Sequence, residues 1–148
     1  MKKLKIFLAC ILLIILSVQA RAANFQEALV SADALLKKNN FLLDEEIHQI
    51  YEREQTPDAL IKLSAQQQQE LVENLRRFKN LNASRSLEYG RDIQDPLVRS
   101  LYQDRVFNNL MLRTNTELAK RYGIMRGDIF NVELHFSFSN NNGNFLWK

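Results

Sequence analysis

Glu45-Glu46-Ile47-His48 is the first place along the chain where residue types and spacing could do chemistry. A carboxylate and an imidazole three positions apart share one face of a helix, the arrangement that serves a di-iron bundle. Such a bundle needs the motif twice, with further glutamates. Here it occurs once, and the only other histidine, His135, lies far downstream. Glu88, Asp92 and Asp95 form a second cluster, with the spacing of a carboxylate pair for acid–base hydrolysis. They serve equally as solvent-facing groups and as the cap before Pro96. No G-x-S-x-G elbow, phosphate loop or dinucleotide fingerprint is present, and four glycines leave few tight turns for such sites. These residues assign no catalytic group, no cofactor and no metal. A small hydrolase acting through Glu88–Asp95 stays as the enzymatic alternative.

Two further segments carry motif grammar. Leu118 to Ile129 reads like the middle of a helix-turn-helix, a helix ending at Gly123 followed by an apolar residue. The next residues alternate where a recognition helix should run, so the segment reads as a helix C-cap whose Lys120 and Arg121 suit the dipole. Leu63-Ser64-Ala65-Gln66-Gln67 resembles the Leu-Thr-x-x-Gln motif of the Spy/CpxP family of periplasmic helical chaperones. The resemblance spans five residues, with serine for threonine and no second copy, and implies a helical binding protein of the periplasm. The same residues form a capping box, Ser64 with Gln67.

The N-terminus supplies an address. Lys2, Lys3 and Lys5 precede an apolar run from Ile6 to Val18, and the small residues of Ala20-Arg21-Ala22 follow. This is the pattern of a cleavable export signal covering 1–22, with Val18-Gln19-Ala20 as a second cleavage candidate. The run is short of the roughly 20 residues that span a bilayer, which argues against an uncleaved anchor. Cys10 falls inside the run, and too few residues precede it for a lipoprotein site. Cleavage after Ala22 predicts a periplasmic or secreted product, residues 23–148, with no stable membrane span. That product has no cysteine, so it must hold together by packing.

Removing 1–22 also removes four basic groups, so the remainder carries sixteen basic and seventeen acidic residues, a net of −1. A nucleic-acid partner is therefore not expected. Charge is unevenly placed: residues 23–75 carry four basic and ten acidic groups, residues 76–126 eleven basic and five acidic. The halves either face each other with complementary rims or offer a basic surface to another envelope protein. Candidate partner-binding residues are Arg76, Arg77 and Arg105 on the basic half, and Phe136, Phe138 and Trp147 near the C-terminus. Oligomeric state is not legible.

Positioning these residues falls to four or five amphipathic helices and a C-terminal β-hairpin, a mainly α, α+β fold. Asn24 caps a first helix ending at Asn39-Asn40, Phe41–Gln55 forms a second, and Thr56-Pro57-Asp58 restarts the chain briefly. Ser64 opens a helix closed by Asn80-Leu81-Asn82, residues 83–94 read as a loop, and Asp95-Pro96 starts the longest helix, to Tyr122. Thr114-Asn115-Thr116-Glu117 is a capping box within it and predicts a kink. From Phe130 to Ser139 apolar and polar residues alternate strictly, predicting a strand that turns at Asn140–Asn144 and returns through Phe145–Trp147. That strand could instead extend a neighbour's sheet in an envelope assembly.

Overall fold

A computed structural model describes residues 2–141 and, of these, the side chains of 2–16 and 24–135. Every regular element among them is helical: α1 (Lys2–Lys38), α2 (Asp44–Arg53), a 3-10 turn (Ala59–Lys62), α3 (Ala65–Ser86), α4 (Pro96–Tyr122) and α5 (Arg126–Asn141). The predicted β-hairpin is not formed. Its first strand, with Phe136 and Phe138, is helix α5, and its second, with Trp147, lies outside the described residues.

The reason is packing that the alternation conceals. Ile129 and Val132, three apart, are buried together against α3 and α4, whereas Phe130 turns to α2 and Leu134 stays 40% exposed. A strand would put Phe130, Val132 and Leu134 on one face. A lone hairpin is marginal in water, while a helix here finds three neighbours. Asp128 starts it: its carboxylate accepts from the Met125 N–H at 2.9 Å and the Thr56 N–H at 2.8 Å.

Ser64 and Gln67 exchange side-chain to backbone hydrogen bonds at the start of α3, and Asp95 Oδ1 accepts from Leu97 N and Val98 N at the start of α4. Gly123 ends α4 in the left-handed region at φ 66°, and the Ile124 N–H bonds back to Ala119 O. Asn40 does the same for α1 at φ 60°, with Phe41 N–H bonded to Leu36 O and both side chains in one cluster.

Four boundaries differ from expectation. α1 runs through Asn24 without a cap, since no glycine or proline interrupts Lys2–Lys38. α2 starts at Asp44 rather than Phe41, because Phe41 and Leu43 are spent on the apolar cluster beside α1. α3 continues past Asn82, whose amide is buried and donates to Thr114 Oγ1 at 2.9 Å. α4 runs unbroken through Thr114–Glu117, with the Thr116 hydroxyl donating to Leu112 O inside the helix.

The helices pack as three apolar clusters strung along α4. Tyr102, Val106 and Leu110 meet Ala32 and Leu36 of α1; Leu118, Ala119 and Tyr122 meet Leu71 and Leu75 of α3 with Ile129 and Val132 of α5; Leu112 meets Ile47 and Tyr51 of α2. Among the described side chains of α1 before Ala28 none joins them: Leu4, Ile6, Phe7, Leu8 and Ile11 to Leu16 are all exposed.

Candidate functional site

Where α2 and α5 cross α4, the three helices leave an open cavity of about 200 Å³. α2 lines it with Asp44, Ile47, His48 and Tyr51, the i, i+3, i+4, i+7 positions of one helical face. α4 contributes Phe107, Asn108 and Met111, and α5 adds Phe130 and Glu133. The floor is therefore apolar and partly aromatic, and the polar groups stand at the rim.

Within this lining the Tyr51 and Phe130 rings stack, centroids 4.4 Å apart and 5° from parallel. The Tyr51 hydroxyl accepts from Asn115 Nδ2 at 3.0 Å. Burial pushes the Tyr51 phenol up to about 12, with the Asn115 hydrogen bond opposing. Asn115 is completely buried, and its Oδ1 has no hydrogen-bond partner among the described residues. At the rim Asp44 Oδ1 accepts from Asn108 Nδ2 at 3.1 Å, and Arg105 Nε stands 3.8 Å from Asp44 Oδ2. Glu133 Oε1 is 4.0 Å from Lys79 Nζ. Burial raises the Glu133 carboxyl above the usual carboxylate range, with Lys79 and Asn115 pulling the other way.

α5 reaches this position through a tight junction with the end of α2. Gly127 N–H donates to Glu54 O at 2.8 Å, and a Cβ on Gly127 would lie 2.1 Å from Tyr51 O and 2.2 Å from Glu54 O. Arg126 grips the Glu54 carboxylate with both Nε, at 2.6 Å, and Nη2. Only glycine allows this approach.

The candidate residues read from sequence are dispersed. Arg105 is nearly buried between Asp33 and Asp44, its Nε at 3.6 and 3.8 Å. Arg77 is exposed, bonds Asn74 Oδ1 at 3.0 Å and lies over the Phe78 ring, while Arg76 is exposed beside it on α3. Asn74 bonds Tyr122 near the end of α4, so Arg76 and Arg77 sit roughly 20 Å along that helix from Arg105. Phe136 and Phe138 are on α5, and Trp147 lies outside the described residues.

Ion pairs link the two charge halves. Glu54–Arg126, Glu70–Arg121, Asp33–Arg105 and Asp44–Arg105 each join residues 23–75 to residues 76–126. His48 pairs with Glu52 at 3.0 Å rather than with Glu45. Among the described residues no group of three His, Cys, Asp or Glu side chains could hold a metal. Glu88 and Asp92 are exposed in the connection after α3, and the Asp95 carboxylate is occupied as the α4 cap.

The expected helix over Phe41–Gln55 contains Ile47 and Tyr51, but the sequence carries no sign that Phe107, Met111 and Phe130 join them. Phe107 and Met111 are one helical turn apart and form a second apolar stripe on α4, beside the stripe of Val106 and Leu110 that packs on α1. Compared with family models, curated proteins and solved structures, the chain matches none.

Proposed function

We propose that this chain is an exported cell-envelope protein that acts by binding another protein, as an adaptor, inhibitor or chaperone, with the α2–α4–α5 groove as its contact site. The observation that carries the reading is the division of α1. The described large apolar residues before Ala28 are exposed, whereas Ala28, Ala32 and Leu36 are buried in the body. The three apolar clusters of the body draw on no described side chain before Ala28, which suits a chain that loses its leader on export. No helix among the described residues is long and apolar enough to cross a membrane. The binding function is supported by the groove itself, where Phe107 and Phe130 are only half-buried over the buried Met111.

Cell fractionation followed by intact-mass measurement tests the address: the expected product starts at Ala23 in the envelope or medium. A chain starting at Met1 in the cytosol overturns it. A photo-reactive amino acid at Phe107 tests the contact. The expected result is a discrete crosslinked protein in living cells that the same probe at exposed Glu117 does not give.

A further inference from the structure

We propose that the α2–α4–α5 groove receives an arginine or lysine side chain of the partner protein. This rests on the reading of the chain as a binding protein and names the chemistry of what it binds. The groove is built in two layers that match the two parts of such a side chain. Ile47, Met111 and Phe130 offer an apolar floor for a methylene stem, and Asp44 and Glu133 bring carboxylates to the mouth from different helices. A cavity of about 200 Å³ has room for one long side chain and not for a folded element.

Charge complementarity selects the occupant. An acidic side chain would meet two carboxylates. A purely apolar one would seal the Glu133 carboxyl, whose side chain is already only 16% exposed, further away from water without adding a counter-charge. The cations already present stand at the outer limit of ion pairing, Arg105 at 3.8 Å from Asp44 and Lys79 at 4.0 Å from Glu133. A carboxylate has about four acceptor positions, and Asp44, which accepts from Asn108 with Arg105 at 3.8 Å, can take a further donor. The α2 surface beside the mouth adds the exposed carboxylates of Glu45 and Glu52, the latter paired with His48, and extends the negative rim. A guanidinium or ammonium entering here has an apolar wall for its stem and acceptors for its donors.

The test is an amide NMR titration of the chain as purified from cells. The probes are N-acetyl-arginine methylamide, the corresponding lysine compound, and the uncharged analogues citrulline and norleucine. The expected result is saturable shifts centred on Ile47, His48, Met111 and Phe130 with the two cationic probes. The uncharged probes should bind at least about tenfold more weakly. The double variant Asp44→Asn, Glu133→Gln should lose the preference for cations while keeping the wild-type helical circular dichroism. Equal binding of norleucine or citrulline overturns the proposal in favour of a plain apolar groove, and shifts with none of the four probes overturn it outright. A chain that crosslinks a partner through Phe107 but ignores the arginine probe fails this inference alone. One that binds arginine but crosslinks nothing in cells fails the reading of the protein as a binding partner.

Discussion

Three tyrosine hydroxyls accept from three asparagine amides, and each pair ties two separate parts of the chain. Asn39 bonds Tyr102, Asn115 bonds Tyr51 and Asn74 bonds Tyr122, at 3.0 to 3.1 Å. These contacts fix how the helices sit along one another, since a hydroxyl that slides off its amide is left unpaired in a dry place. Tyr51 is the most constrained. Its phenol is held neutral up to about 12 against an ordinary value of 10.0. A raised folded value means that the stabilisation is complete below pH 10 and is lost as pH climbs from 10 through 12. Urea unfolding should therefore show the wild type losing about 2–3 kcal/mol more than Tyr51→Phe across that window. Equal losses would refute it. Glu133 behaves the same way at the acid end. Its raised carboxyl favours folding fully only below about 4.5, and that contribution fades as pH rises. Glu133→Gln should accordingly raise the melting temperature at pH 7 and leave it nearly unchanged at pH 4, in a pair of calorimetric scans.

At the scale of elements, the junction of α2 and α5 concentrates the most constraint in the fewest residues. Gly127→Ala would drive a methyl group into the carbonyls of Tyr51 and Glu54, and separating two backbones costs about 3 kcal/mol. Chemical denaturation should show that loss, with the groove opening as α5 backs away from α2. How much of this was readable depends on whether a signal is local. The caps at Ser64, Asp95 and Gly123 were legible because a cap is set by residues within one turn of it. The boundary of α3 was not, because Asn82 reads as a helix stop and is instead an interhelical donor to Thr114. α5 was misread because Phe130 to Ser139 fits period two along its length, while its helical face is disclosed only by what Ile129 and Val132 touch. The groove needed all three helices in place, and so could not be seen before α5 was.

At the scale of the whole molecule, part of the uneven charge along the chain is paired within it: four of the ten acidic groups of residues 23–75 meet three of the eleven basic groups of residues 76–126. Acidic and basic halves are joined by pairs that are mostly half exposed, and pairs of that kind contribute between nothing and about 1 kcal/mol each. They set which faces meet more than how firmly, and the firmness comes from the three clusters on α4. Those clusters are unequally tied. α5 shares one cluster with α3 and another with α2, whereas α1 has α4 as its main helical neighbour. Leu36, fully buried at that contact, is its principal anchor. Leu36→Ala should cost about 3 kcal/mol by denaturation. It should also raise hydrogen exchange in residues 28–38 well before exchange in α3 or α5. Uniform exchange across all helices would argue that α1 is no weaker than the rest.

That lopsided attachment has a consequence for how the molecule comes apart. α1 is one unbroken rod whose leading half is greasy and whose trailing half clips onto a single spine. If the trailing half peels away, α2 to α5 keep both of their other nuclei. The rod can therefore swing off on one seam while the rest of the molecule keeps its shape.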